Sequence, residues 1–114
     1  MYGNNYGTTI QYNEILKSYI GIYLNPFGEY VNKKFNITGN IIGSRDTSKR
    51  VIKKGLSIIG ADSCVISGNE ILETDDYGIH YEGNWSTIEK NIIHYIGKSS
   101  GSLFGNGGKG VVVS

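Results

Sequence analysis

The pattern Ile-x-x-Asn-x-Ile occurs four times with unvarying internal spacing: Ile10/Asn13/Ile15, Ile37/Asn40/Ile42, Ile66/Asn69/Ile71 and Ile88/Asn91/Ile93. A second element follows each copy, a glycine leading an apolar-x-apolar triplet: Gly21 with Ile22-Tyr23-Leu24, Gly55 with Leu56-Ser57-Ile58, Gly78 with Ile79-His80-Tyr81 and Gly110 with Val111-Val112-Val113. The two elements alternate strictly. Repetition of this kind restricts a chain more than local propensity does, because one unit cannot bury its apolar face alone and must stack on its neighbours. The asparagines lie 27, 29 and 22 residues apart, so the interval from Asn69 to Asn91 is the bare repeat and the others carry insertions.

The residues filling these units are those of strands and tight turns. There are 17 Ile, 6 Val, 6 Thr and 9 Tyr against one Ala, one Gln and 5 Leu, which is poor material for helices. With 17 Gly and 11 Asn but one Pro, the turns draw on residues that tolerate positive φ. An all-β chain of short strands follows, and 114 residues allow a single domain, taken here as residues 1–114. A unit of about 22 residues holding three short strands can close as one coil of a solenoid whose coils stack into parallel sheets. About four coils fit. The motif asparagines would then stack in one bend with their amides bonded from coil to coil. An antiparallel sandwich also uses short strands, yet Asn106-Gly107 is the chain's one Asn-Gly or Asp-Gly dipeptide, and a fixed Asn register is foreign to that fold.

The units Gly-Ile, spacer, Ile-x-x-Asn-x-Ile resemble the right-handed parallel β-helix repeats of the pectin-lyase-like superfamily, over roughly residues 9 to 113. The resemblance implies a right-handed parallel β-helix. It also directs attention to the Gly-led strand, along which polysaccharides lie in members that act on them. Nothing before Thr8 resembles a capping helix, and the chain stops in mid-coil at Ser114, so a segment lacking end caps, with neighbouring coils or self-association to cover its ends, is expected.

Insertions mark the same strand independently. They fall between Gly21 and Ile37 (with Asn25-Pro26-Phe27-Gly28 and Lys33-Lys34), between Asn40 and Gly55 (with Arg45 to Lys54), and between Asn91 and Gly110; none interrupts the Asn motif. Loops that grow on one face of a solenoid commonly wall a binding surface, although they also gather wherever turns are permissive. Alternation sends Ile22/Leu24, Leu56/Ile58, Ile79/Tyr81 and Val111/Val113 inward and leaves Tyr23, Ser57, His80 and Val112 as an outward column.

The densest ionisable cluster runs from Glu73 to Glu82. Asp75, Asp76 and His80 are the candidate catalytic residues, since two carboxylates and an imidazole can share acid and base roles in glycoside hydrolysis. The Asp pair is similar to the double Asp of polygalacturonase-like enzymes, but that family's Gly-His-Gly and Arg-x-Lys motifs are not found. Aspartates before a strand also serve the backbone as Asx turns. Arg45, Arg50 and Lys54 belong to a run of five cations in ten residues that would neutralise uronate or phosphate groups, or simply form a solvated loop. Tyr23 and Trp85 offer faces for sugar stacking, and Glu82 completes the candidate substrate contacts. No cofactor is expected; calcium is the one metal that fits, through Glu73, Asp75, Asp76 and Glu82, without any EF-hand spacing. Cys64 lacks a partner for a disulfide and has the character of a small buried residue.

A net charge of +1 supplies no general field for nucleic acid or anionic membrane, and no apolar run approaches the ~18 residues of a membrane span. Two functions stay open. One is a carbohydrate-binding or carbohydrate-processing segment, a lyase or hydrolase or a tailspike-like depolymerase, extracellular or on a virion surface, with an acidic polysaccharide as partner. The other is a purely structural β-helix of a viral or cell-surface fibre.

Overall fold

The computed structural model describes residues 6–25 and 32–94 and the backbone of Asn5 and of 109–113. These residues form fifteen short strands, numbered in chain order, and one turn of 3-10 helix at Thr47–Lys49. The chain is all-β with parallel sheets. The first Ile of each motif lies on β2 (Thr9–Gln11), β6 (Asn36–Thr38), β10 (Val65–Ser67) and β13 (Thr87–Glu89), which make one four-stranded sheet. The second Ile lies on β3 (Glu14–Ile15), β7 (Ile41–Gly43), β11 (Glu70–Leu72) and β14 (Ile92–His94), which make another. The Gly-led strands β4 (Ile20–Leu24), β8 (Lys54–Ile59), β12 (Tyr77–Glu82) and β15 (Lys109–Val113) form the third and longest. In all three, neighbouring strands come from successive repeats and every described pair is parallel, which excludes the antiparallel sandwich.

A fourth, three-stranded sheet joins β1 (Asn5–Tyr6), β5 (Asn32–Lys33) and β9 (Ala61–Asp62). The sequence pattern gives three strands per unit and assigns Lys33-Lys34 to an insertion. The structure instead pairs Lys33 with Tyr6 and Asp62. Two-residue strands are too short to show alternation, so periodicity has nothing to register there.

Identical registers place like residues over like. Ile10, Ile37, Ile66 and Ile88 stack in the first sheet, and Ile15, Ile42, Ile71 and Ile93 in the second. Ile22, Leu56 and Ile79, with Leu24, Ile58 and Tyr81, line the inner side of the third, so the repeat's apolar positions are the core. The two middle repeats are sealed completely, whereas Ile10, Ile15, Ile88 and Ile93 are only partly covered. Phe35, Val51, Ala61 and Cys64 complete the core from outside the motif.

The asparagines form the expected stack. Asn13 Nδ2 donates to Asn40 Oδ1 at 3.0 Å, Asn40 Nδ2 to Asn69 Oδ1 at 2.9 Å, and Asn69 Nδ2 to Asn91 Oδ1 at 2.9 Å. Each acceptor oxygen also takes the backbone N–H of the asparagine that bonds it, at 3.0 Å. The second amide hydrogen of Asn40, Asn69 and Asn91 goes to the carbonyl of Ile10, Ile37 and Ile66. Asn40 and Asn69 are buried, yet every polar atom of theirs is paired, which is the condition for keeping amides in a core.

The glycine of the second element answers to space, not to φ. A Cβ on Gly55 would lie 2.5 Å from Ile71 Cγ2 and 2.7 Å from the Gly78 carbonyl; on Gly21 it would lie 2.5 Å from both Ile42 Cγ2 and the Gly55 carbonyl. The third sheet begins where it crowds the isoleucines of the second, and only glycine fits.

Candidate functional site

The outward side of the third sheet is where insertions and exposed chemistry meet. Tyr23 pairs in register with Ser57, and Ser57 with His80. The backbone register extends to Val112, whose side chain lies outside the described residues, as do those of Val111 and Val113. Asn25 and Lys33-Lys34 are described, but Pro26-Phe27-Gly28 and most of the insertion after Asn91 also fall outside.

Tyr23 is half exposed and its hydroxyl accepts from Asn25 Nδ2 at 2.8 Å. His80 Nε2 lies 3.4 Å from Glu82 Oε1, two residues along the same strand and so on the same side. The His80 ring is 5.1 Å from that of Tyr77, and Lys54, the register partner of Tyr77, sets its ammonium 5.1 Å from the Tyr77 ring centre. An aromatic, an imidazole, a carboxylate and a cation thus share β4, β8 and β12. Ser57 departs from the expected outward column: it is fully buried, and its Oγ has no hydrogen-bond partner. A two-atom side chain between the larger Tyr23 and His80 sits below their level. His80 Nδ1 is likewise buried without a partner.

Asp75 and Asp76 stand elsewhere, in the turn leading into β12. Asp75 receives Arg50 through two bonds, Nη1 to Oδ1 at 2.9 Å and Nη2 to Oδ2 at 3.2 Å, while Arg50 Nη1 also reaches the Glu73 carbonyl at 3.1 Å. The Asp75 hydrogen bond raises the Arg50 pKa. Lys53 Nζ is 3.5 Å from Asp76 Oδ2. Cations of the insertion after Asn40 and carboxylates before β12 are therefore paired directly. Register is the reason: Lys54 lies beside Tyr77, so the residues before them also meet, as the bonds from Asp75 N to Ile52 O (2.8 Å) and Asp76 N to Lys53 O (2.9 Å) show.

Arg45 is exposed in the same insertion, ahead of a turn capped by Asp46, whose carboxylate takes Ser48 N at 3.0 Å and Ser48 Oγ at 2.7 Å; these bonds lower the Asp46 pKa. Trp85 is 82% exposed at the bend before β13, with φ of 58°, in the position that Lys34 and Ser63 hold in earlier repeats. Tyr81 points inward. Its hydroxyl donates to the Ala61 carbonyl at 2.6 Å, which leaves Ser86 Oγ to donate to it; Ser86 Oγ in turn accepts from Cys64 N at 2.9 Å. Burial pushes the Cys64 thiol and the Tyr81 phenol up in pKa, so neither is activated. Among the described residues no three His, Cys, Asp or Glu side chains converge, so Glu73, Asp75, Asp76 and Glu82 do not gather around one point where calcium would sit. Among the same residues no helix is long and apolar enough to cross a membrane.

Compared with protein-family models, curated proteins and solved structures, the chain matches none.

Proposed function

We propose that the chain is a segment of a right-handed parallel β-helix of the pectin-lyase-like kind that handles carbohydrate along the outward side of its third sheet, at a cell exterior or on a virion. Three parallel sheets fed in turn by each repeat, with the Asn stack between the first two, support the architecture. The observation that carries the function is the row Tyr23, Ser57, His80 on the outward side of the third sheet: an exposed ring in register with an imidazole, with Glu82 and Lys54 near it. Sugars present apolar faces to aromatic rings and hydroxyls to polar and charged side chains. A purely structural role is the second reading, and the Arg50–Asp75 and Lys53–Asp76 pairs favour it, because they tie up four charged groups that an acidic polymer would otherwise meet. An acidic glycan contact would then fall to Lys54.

The test is a titration of the chain with oligogalacturonate and with a neutral cello-oligosaccharide, followed by backbone amide shifts. Movement at Tyr23, Ser57, His80 and Glu82 is expected, with Lys54→Ala weakening the acidic ligand several-fold and leaving the neutral one unchanged. Shifts confined to the Asn bends would refute the surface, and no shift with either glycan transfers the weight to the structural role.

A further inference from the structure

We propose that a second copy of this chain docks end to end on the first, so that the last repeat of one copy and the first repeat of the next stack as neighbouring repeats do within the chain. This partner depends on the stacked parallel sheets and not on the carbohydrate surface. Among the described residues, the three long sheets end on β2, β3 and β4 on one side and on β13, β14 and β15 on the other, each with one edge that has no neighbour. The apolar rungs open at the same two ends: Ile10 and Ile15 at one, and Ile88 and Ile93 at the other, are only partly covered. Open edges alone do not name an occupant. The polar groups beside them do.

Asn91 is the rung of the asparagine stack whose amide donates to no other asparagine, and Asn13 is the rung whose Oδ1 receives from none. Set one strand spacing apart, about 4.8 Å, they fit: the N–H and Nδ2 of Asn91 donate to Oδ1 of the next copy's Asn13, as those of Asn69 do to Asn91. Asn40, Asn69 and Asn91 give their second amide hydrogen to an isoleucine carbonyl one repeat back, whereas Asn13 gives its own to Gln11 in the same repeat. Ile88 of the preceding copy supplies the missing carbonyl. The backbone edges are complementary too. Thr87 N bonds to the Cys64 carbonyl and Gly68 N to the Glu89 carbonyl, so Thr87 and Glu89 face β10 and Ile88 turns its N–H and carbonyl to the open side. At the other end the bonds from Asn36 N to Thr8 and from Tyr12 N to Thr38 leave the N–H and carbonyl of Thr9 and Gln11 on the open side of β2. Strands offset in this way interlock as one more parallel pair.

Side chains on the outside agree. The second sheet's outward column runs Glu14, Ile41, Glu70, Ile92, alternating charged and apolar, and Glu14 of the next copy continues that order without setting like charges side by side. Two first repeats face to face would instead oppose acceptor to acceptor at Asn13. The contact is therefore heterologous, with its two halves at opposite ends of the stack, and it builds an open filament.

The experiment uses Thr9→Cys and Thr87→Cys, exposed positions in one column of the first sheet that lie three rungs apart within a chain and side by side across the contact. Their Cα atoms would then be about 4.8 Å apart, inside the range a disulfide spans. Cys64 is buried and does not compete. Oxidising an equimolar mixture of the two variants with diamide is expected to give a heterodimer whose bond, located by peptide mass spectrometry, joins positions 9 and 87. Neither variant alone should cross-link, and the doubly substituted chain should give a ladder of covalent oligomers. By sedimentation, the wild-type mass should climb with concentration past the dimer without a plateau. Gln11→Pro removes an N–H from the open edge of β2 and leaves the bonds to β6, so it blocks that end alone; a small proportion of it should shorten wild-type assemblies, since its other end still docks. Homodimers in place of the 9–87 bond, a wild-type chain that stays monomeric, or assemblies of unchanged length with Gln11→Pro present overturn the proposal. Glycan binding by a chain that neither cross-links nor assembles overturns the end-to-end partner and leaves the carbohydrate surface standing; assembly without glycan binding does the reverse.

Discussion

Lys90, at φ 56° just before Asn91, holds a backbone conformation that costs a side-chain-bearing residue about 1–2 kcal/mol. Tyr12, Gly39 and Gly68 occupy the same place before Asn13, Asn40 and Asn69, all with φ between 56° and 66°. A second left-handed position recurs three residues before the first Ile, at Gly7, Lys34, Ser63 and Trp85. Lys90→Gly should therefore stabilise the protein by about 0.5–1 kcal/mol, the strain relieved outweighing the freedom glycine gains in the unfolded chain. Gly68→Ala should cost about 1 kcal/mol, because a Cβ there meets nothing closer than the Gly39 nitrogen at 3.9 Å and conformation alone is at stake. Urea midpoints for the two variants check both signs. At Gly39 and Gly68 the sequence announces such a bend; at Tyr12, Lys34, Trp85 and Lys90 the residue type hides it, and only homology to the glycine-bearing repeats points to it.

Between elements, the asparagine stack is the most sharply graded interaction. Asn69→Ala removes an acceptor for two Asn40 donors and leaves groups unpaired in a dry interior, each worth about 1–3 kcal/mol, so a loss near 3 kcal/mol is expected. Asn13→Ala should lose about 1 kcal/mol or less, since Asn13 is exposed and Asn40 Oδ1 keeps the backbone N–H of residue 13. Chemical denaturation of both variants, with Asn40→Ala expected beside Asn69→Ala, measures the gradient; equal losses at all positions would contradict it. This stack, the strand types and the inward direction of Tyr81 were legible because an unvarying spacing converts directly into register. The Arg50–Asp75 and Lys53–Asp76 pairs were not. They depend on how the insertion after Asn40 folds before rejoining β8, and Asp46 capping and the 3-10 turn carry no periodicity. The site was half legible for the same reason. Alternation finds the column Tyr23, Ser57, His80, but no pattern in the sequence tells that Ser57 lies beneath its neighbours.

Across the whole molecule, unfolding exposes two buried acids at once. Cys64 and Tyr81 ionise in the open chain at ordinary values of 9.0 and 10.0, and burial raises both in the folded state. The folded form then holds protons that the unfolded form has released, so their contribution to stability is complete below about pH 9 and declines as the pH rises through the folded values. Urea midpoints from about pH 8 to pH 11 should fall on that limb, with a shallower fall in Cys64→Ala. The asparagine stack gives the same molecule a direction. The bonds from amide to amide all run the same way, from Asn13 to Asn40 to Asn69 to Asn91, without one reversal. A duplicated copy of the 22-residue repeat can therefore slot between two rungs in one orientation, meeting a donor on one face and an acceptor on the other. Length in such a protein is inherited in whole steps: a gene can add or drop a rung and keep the thread, but it cannot turn one around.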